Sequence, residues 1–231
     1  MTINPQDIIS HPDMCSREGR MLQHGMNFCS NLPHSVLLMS RRRGAPYDDV
    51  VKDAGRTLIY EGHDVPRTQG IKDPKKHDQP MRTPGGKLTP NGRFFEAAAQ
   101  HKEGGRDARL VRVYEKIRAG IWTYNGVFRL VDAWTEHVGR RKVFKFRLEL
   151  TDTELSVMPG TTDIDHNRLI PSAIKQEVFE RDKGRCVLCG ATDNLHFDHD
   201  FPFSKGGTSI SADNIRLLCV RHNLAKHSKI E

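Results

Sequence analysis

Two short pairs of sulfur- and nitrogen-bearing side chains stand near the C-terminal end of the sequence. Two residues separate Cys186 from Cys189, and the same spacing recurs further along between Cys219 and His222. Thiolate and imidazole are the ligands that zinc prefers, and four of them close a tetrahedral structural site. We therefore predict that these four side chains bind a structural zinc ion. Such an ion would stabilise a module too small to build a large core.

The segment around these pairs resembles the HNH endonucleases, also called ββα-metal nucleases. The resemblance covers about residues 172–231 and rests on Asp198, His199, Pro202, Gly206, Gly207, Asn214, Leu218, Cys219, His222, Asn223 and Lys226. It implies that Asp198 and Asn223 bind a catalytic Mg2+ or Mn2+ ion. It also implies that His199 is the general base and that Asn214 orients it. His227 stays open as a further ligand, a phosphate contact or a residue without a role.

These residue types suit the hydrolysis of a phosphodiester bond. The reaction needs a deprotonated water in line with the scissile bond and a cation near the leaving oxygen. A neutral His199 can take the proton of the water near pH 7, and the oxygens of Asp198 and Asn223 suit a hard divalent ion. The alternative is that Asp198 and His199 form an ordinary turn and that Asn223 is a surface residue.

The preceding part of the chain resembles the SRA (SET- and RING-associated) domain, which flips 5-methylcytosine out of duplex DNA. The resemblance runs over roughly residues 30–151 and consists of short pieces in the family's order: 35–39, 47–50, 58–62, 78–79, Asn91, 111–113 and 124–128. It implies that Asp49 accepts a hydrogen bond from the amino group of the flipped cytosine. It also implies that Tyr60 stacks on the base and that the turn at Gly62 lines the pocket.

Three positions depart from the pattern of this family. The first stacking aromatic of the family falls near Pro46, and Tyr47 follows one position later, so Tyr47 is also a candidate substrate contact. Glu61 stands where a threonine is usual, and Asn125 replaces an aspartate.

Flipping a base out of the duplex costs roughly a few kcal/mol of stacking and pairing, which an aromatic sandwich and a carboxylate can recover. A structural interpretation of the same residues stays open, in which Tyr60 and Tyr124 are core aromatics and Asp49 caps a loop. For Tyr124 we favour the core, because it precedes a predicted turn in a strand.

The elements that must position these residues follow from the apolar pattern. Short apolar runs predict strands at 35–39 and 57–60, and alternating apolar and polar residues predict strands at 110–114, 122–130 and 143–150. Asn125-Gly126 predicts a turn, Thr89-Pro90 predicts the start of a helix through Gln100, and Ser172 predicts the cap of a helix over 173–181.

We therefore predict an α+β fold with two domains. An SRA-like β-barrel or sheet domain with helices would cover 1–155, a linker 156–171, and a small zinc-stabilised ββα-metal (HNH) domain 172–231. Residues 1 to about 30 show no clear period, so we expect them to be irregular. A helix over 219–227 would place the second zinc pair on one of its faces.

The composition narrows the class of protein. The chain has 231 residues, 36% of them hydrophobic, and a net charge of +7, which favours an anionic partner such as DNA. No apolar run approaches the roughly 18 residues that a membrane span needs. Five cysteines without an export signal argue against a disulfide framework, and we assign no role to Cys15 and Cys29.

The two resemblances together imply a type IV-like, modification-dependent restriction endonuclease in the cytoplasm of a bacterium or archaeon. Its partner would be double-stranded DNA with 5-methylcytosine or 5-hydroxymethylcytosine. Because one HNH site cuts one strand, we expect a homodimer. Two alternatives stay open: a methylation-independent HNH nuclease of homing or repair type, and a reader of modified DNA with an inactive HNH clamp.

Overall fold

The computed structural model describes residues 3–68, 70–151, 169–201 and 209–226, and it has the predicted α+β fold. The strands are β1 (Ile8–Ser10), β2 (Met26–Asn27), β3 (His34–Met39), β4 (Val50–Lys52), β5 (Thr57–Glu61), β6 (Arg109–Arg118), β7 (Ile121–Val138), β8 (Arg141–Leu150), β9 (Leu195–His199) and β10 (Ile215–Cys219). The helices are α1 (His11–Arg17), α2 (Pro90–Lys102), α3 (Ser172–Arg181) and α4 (Val220–Lys226). Within these ranges no helix combines the length and apolar character needed to cross a membrane.

Eight strands form one mixed sheet. Its order is β2-β3-β6-β7-β8-β5-β4, and β1 pairs with β7 outside this path. β3 and β6 are parallel, and the other neighbours are antiparallel. The apolar side chains of the sheet pack against α2, where Phe94 and Ala98 are buried. This layered packing of a helix on a sheet makes the main core of the molecule.

The predicted helix that follows Thr89 is confirmed. Pro90 opens α2, and the Thr89 hydroxyl accepts a hydrogen bond from the amide of Gly92. The proline has no amide hydrogen to leave unpaired in the first turn, and the threonine oxygen pairs one of the free amides there. The helix continues two residues past Gln100, to Lys102.

The predicted turn at Asn125-Gly126 is wrong, because β7 runs through both residues. Val113 of β6 pairs with Gly126, and the next residue of β6, Tyr114, pairs with Tyr124. Asn125 is therefore an extra residue in its strand, which makes a β-bulge. Gly126 has a φ of +104°, which glycine adopts without a steric penalty. Tyr124 is buried in the core, as predicted.

The expectation that residues 1–30 are irregular is also wrong. They contain β1, α1 and β2, three elements too short to show a hydrophobic period. The Ser10 hydroxyl accepts a hydrogen bond from the amide of Asp13 and caps α1. β1 pairs with the start of β7, so the N-terminal segment is part of the large sheet.

The C-terminal elements form a smaller unit. β9 and β10 pair antiparallel, and apolar side chains from α3 pack against them. Ser172 is not the N-cap of α3 but its first residue, and the capping position belongs to Pro171, without a side-chain hydrogen bond. α4 begins at Val220 because Cys219 still pairs with Leu195 across the small sheet. The predicted linker 156–171 lies almost wholly outside the described residues, and the domain boundaries stay a prediction.

A buried ion pair joins α3 to the large sheet. The Lys175 ammonium has no exposed surface and lies 3.0 Å from a carboxylate oxygen of Glu115, which is 3% exposed. Lys175 also donates to the side-chain oxygen of the bulge residue Asn125 over 2.7 Å. An unpaired buried charge is costly, so these contacts favour one arrangement of the two units.

A second polar contact holds β9 against the N-terminal segment. A ring nitrogen of His196, Nδ1, lies 2.8 Å from a carboxylate oxygen of Asp7. The neighbouring amide of Phe197 donates to the carbonyl of Gln6 over 3.3 Å. The strand that ends in Asp198-His199 is therefore attached to the segment that precedes β1.

Candidate active site and base pocket

The predicted zinc ligands come together although they lie on separate elements. Cys186 and Cys189 belong to the turn after α3, Cys219 ends β10, and His222 lies in the first turn of α4. One ligand atom from each of these residues lies within 4.8 Å of the other three. The turn that carries the first pair is closed by backbone hydrogen bonds, from Cys186 to Ala191 and from Gly190 to Cys186.

The spacing of these atoms fits a tetrahedral ion. The Sγ atoms of Cys189 and Cys219 are 3.8 Å apart, and Nδ1 of His222 lies 3.4 Å from Cys186 Sγ and 3.3 Å from Cys219 Sγ. Zinc bonds of about 2.3 Å to sulfur and 2.0–2.1 Å to nitrogen give tetrahedral edges of about 3.8 Å and 3.5 Å. Burial alone would raise the pKa of the Cys186 thiol, but hydrogen bonds from neighbouring amides and His222 lower it to about 6. The group therefore favours the thiolate, which is the form that binds metal.

Asp198 and His199 end strand β9, where both side chains are half-buried. The Asp198 carboxylate lies 2.5 Å from the ammonium of Lys226, which also donates to the backbone carbonyl of His199. Two oxygens of different residues thus converge on one positive charge. Oxygen donors that converge in this way also suit a hard divalent ion.

A serine holds the ring of His199. Nε2 of His199 lies 2.8 Å from the hydroxyl of Ser209, which is buried. A hydrogen bond to one ring nitrogen sets the orientation of an imidazole and the nitrogen that carries its proton. Ser209 was not predicted from the sequence, since no short motif contains it.

Two further candidates of the nuclease pattern, Asn214 and Asn223, lie on segments that contact β9 or the residue after it. The side chain of Asn214 accepts from the amide of Phe201 over 2.8 Å and donates to its carbonyl over 3.0 Å. It therefore anchors the backbone two residues after His199. Asn223 lies on α4 and is half-buried. His227, Pro202 and the Gly-Gly pair fall outside the described residues.

The large sheet contains a cavity of about 420 Å³, which is within the usual range for a ligand pocket. Its wall includes Asp49, Tyr60 and Tyr47, three of the four predicted base contacts, together with Pro46. The fourth, Gly62, is not among the lining residues. A Cβ atom at Gly62 would lie 2.7 Å from side-chain oxygens of Asn91 and Gln79. The glycine therefore allows these two side chains to pack against the backbone of the loop.

Asp49 is a buried carboxylate, 7% exposed, held by two backbone amides. One oxygen accepts from the amide of Glu61 over 3.0 Å, and the other faces the amide of Ser40 at 3.4 Å. Burial outweighs these hydrogen bonds and raises the pKa of Asp49 to about 7. The group therefore changes charge near neutral pH.

Glu61, where the family usually has threonine, is not a lining residue. Its carboxylate pairs with Arg141 at 3.0 Å and with Lys145 at 3.1 Å, and all three side chains are buried. Arg141 also pairs with Asp64 at 2.5 Å. This network fixes the backbone of the loop that follows β5, which forms one side of the cavity.

The cavity also contains a histidine that sequence reasoning missed. The ring of His63 stacks on Tyr47 with 5.0 Å between centroids and an interplanar angle of 8°. Its Nε2 lies 3.1 Å from the hydroxyl of Tyr60, which donates to the carbonyl of Leu38. Burial lowers the pKa of His63 to about 4, so the ring is neutral at physiological pH. The residue lies in a loop without periodicity, and no sequence signal linked it to Tyr47.

Comparison with known proteins agrees with the nuclease pattern. Residues 186–229 match the family model for HNH endonuclease. No curated protein matches the chain. The C-terminal part of the chain is thus similar to the HNH endonuclease family, as the sequence predicted.

Among solved structures, the chain is similar to SUVH5 SRA in complex with hemimethylated CG DNA (18% identity, TM-score 0.45, covering 71% of this chain and 93% of the other). It is also similar to SUVH5 SRA bound to fully hydroxymethylated CG DNA (20% identity, TM-score 0.46, covering 70% and 93%). A third similar structure is Arabidopsis thaliana SUVH6 in complex with SAM (19% identity, TM-score 0.40, covering 76% and 29%).

Proposed function

We propose that this protein is a modification-dependent DNA endonuclease that reads a flipped 5-methylcytosine or 5-hydroxymethylcytosine and hydrolyses phosphodiester bonds. One observation carries the proposal. The same chain that matches the HNH family model also holds, in its large sheet, a cavity walled by a buried carboxylate and aromatic rings. A nuclease module needs only a backbone to cut, whereas such a cavity suits a single planar base.

The reading step uses the cavity. Asp49, fixed by two amides, presents its carboxylate to the exocyclic amino group of the flipped cytosine. Tyr47 and Tyr60 supply aromatic surface at the same cavity. Stacking on such surface recovers the free energy that unstacking the base costs.

In the hydrolysis step, His199 takes the proton of the attacking water. A proton on Nε2, donated to Ser209, leaves Nδ1 as the basic nitrogen of the ring. Asp198, Asn223 and the carbonyl of His199 would hold a Mg2+ or Mn2+ ion. When bound, that ion supplies positive charge that stabilises the leaving oxygen. Asn214 holds the backbone after His199 through Phe201 and thereby keeps the imidazole in position at the end of β9.

The zinc ion has a structural role in this proposal, because protein atoms fill all four positions. It connects the turn after α3 to α4, the helix that carries Asn223 and Lys226. The enzyme would act on double-stranded DNA in the cytoplasm of a bacterium or archaeon. Two copies are needed to cut both strands, so it would work as a homodimer and restrict foreign modified DNA.

The test is cleavage of one DNA prepared with unmodified, 5-methylated or 5-hydroxymethylated cytosine, in Mg2+ or Mn2+. We expect cutting of modified DNA only, loss of cutting but not of binding in His199→Ala, and loss of preference in Asp49→Ala. His137→Ala and Asp107→Ala, which change exposed residues, are the matched controls.

Two other results would point to different functions. Equal cutting of all three DNAs would overturn the reading step and indicate a methylation-independent nuclease. Tight binding of modified DNA without any cutting would indicate a reader with an inactive HNH clamp. Sedimentation in the presence of modified DNA tests the dimer, and a monomer that makes double-strand breaks without nicked intermediates would contradict it.

A further inference from the structure

The imidazole of His63 lies where a flipped base would have to stack. It is parallel to Tyr47, at 5.0 Å and 8°, and its centroid is 6.2 Å from that of Tyr60. A neutral flat ring on a tyrosine has the geometry of a base stacked on an aromatic residue. In the protein without DNA, the aromatic surface proposed for the base is therefore already covered by a side chain of the protein.

The slot is too narrow for the imidazole and a base together. Stacked rings need at least about 4.5 Å between centroids, so a ring inserted beside His63 would need about 9 Å to the next ring. Tyr47 is only 5.0 Å away on one side. The ring of Tyr60 is 6.2 Å from the imidazole between centroids and tilted by 36°, and its hydroxyl is within hydrogen-bonding distance of Nε2. A base can stack on the face of Tyr47 that His63 covers only if the imidazole leaves.

The backbone of His63 is held by more hydrogen bonds than its ring. Its amide donates to Asn91 Oδ1 over 2.8 Å, and its carbonyl accepts from Asn91 Nδ2 over 2.8 Å. The ring itself makes one hydrogen bond among the described residues, to Tyr60. Room for the ring comes from Gly25, where a Cβ would lie 2.6 Å from Nε2. The movement that frees the slot is therefore a side-chain rotation.

We propose that His63 is a place-holder for the flipped base: its imidazole fills the stacking position in the free protein and rotates out when the base enters. This inference rests on the proposed function. His63 then sets the affinity of the cavity for a flipped base, because every base must repay the same cost of moving the ring. This cost lowers the affinity for modified and unmodified cytosine by the same factor.

The direct test follows the ring in the unmodified protein by NMR titration of the histidine Cε1–H signals. The charged or titratable groups around His63 are His24, Asp64 and Lys75, and burial keeps its pKa near 4. On binding a short duplex with one 5-methylcytosine, we expect that pKa to rise towards the ordinary range near 6.5. A pKa that stays near 4 in the complex would overturn the inference.

The second test measures affinity for modified and unmodified DNA in His63→Ala, with the exposed His77→Ala as control. We expect His63→Ala to bind both DNAs at least about threefold more tightly and with an unchanged ratio between the two affinities, because the ring no longer has to be displaced by either base. Weaker binding of both DNAs would show that the base stacks on the imidazole and would refute the place-holder. If the unaltered protein shows no preference for modified DNA, the proposed function itself fails. If the preference is present but His63→Ala weakens binding, only the place-holder fails, so the two failures are distinguishable.

Discussion

Replacement of Lys175 by methionine tests whether the buried ion pair holds the two units together. In the structure its ammonium contacts Glu115 at 3.0 Å and Asn125 at 2.7 Å, with no exposure to solvent. Methionine has a similar length and no charge, so it fills the space but leaves the Glu115 carboxylate without its cation. Burial alone would raise the pKa of Glu115, but Lys175 and nearby hydrogen bonds hold it below its usual range.

The expected loss of folding free energy is large for a single substitution. Breaking a buried pair by removal of one partner costs about 3–5 kcal/mol, because the remaining charge stays desolvated. The double variant Glu115→Gln/Lys175→Met removes both charges, and we expect it to recover most of this loss. The lowered pKa of Glu115 sets the sign of the pH effect. The contribution of the pair is present above about pH 4.5 and is lost as the pH falls below it.

The measurement is urea unfolding of the full chain with zinc present, followed by the fluorescence of Trp122 and Trp134, both on β7. Lys183→Met, at an exposed position after α3, is the control and should change the unfolding free energy by less than about 0.5 kcal/mol. A loss below about 1 kcal/mol in Lys175→Met, or no recovery in the double variant, would refute the reasoning.

Three further results are expected. Cys186→Ser, or removal of zinc by a chelator, should expose the C-terminal unit to protease, and an unchanged digestion pattern would argue against a structural zinc. Because the carboxylate of Asp49 is the hydrogen-bond acceptor and its pKa is about 7, affinity for modified DNA should rise from about pH 6 to pH 8. The variant Asp49→Asn should lose this pH dependence. The contribution of Asp49 to folding stability changes in the opposite sense and is lost as the pH rises towards 7. Ser209→Ala should slow cleavage by about tenfold or more with binding unchanged, since it removes the contact between the serine hydroxyl and Nε2 of His199; an unchanged rate would remove Ser209 from the site.

The nuclease residues were predictable because their signals are local. The two-residue spacing within each zinc pair and the Asp-His dipeptide can be read within one turn or strand. Long alternating strands such as β8 and the capped helix α2 were predicted for the same reason. In these places the preference of a few neighbouring residues agrees with the fold.

The remainder depended on partners distant in sequence. No sequence signal singled out Lys175, and its buried contact with Glu115, 60 residues away, is visible only in the fold. Asn125-Gly126 suits a hairpin turn and a bulge equally well, and the pairing of β6 with β7 decides between them. His63 became a candidate only when the fold brought it onto Tyr47. Local propensity contains no information about such contacts.

The attachment of β9 to the N-terminal segment has a consequence for the order of folding during synthesis. Asp7 meets His196 across 189 residues of chain, and β1 pairs with β7 more than a hundred residues after it. During synthesis the ribosome releases Asp7 189 residues of chain before its partner His196. The strand bearing Asp198 and His199 can therefore dock on the N-terminal segment only after the strands of the large sheet have been made. Under the proposed function, a nascent chain would complete its base pocket before its cutting site.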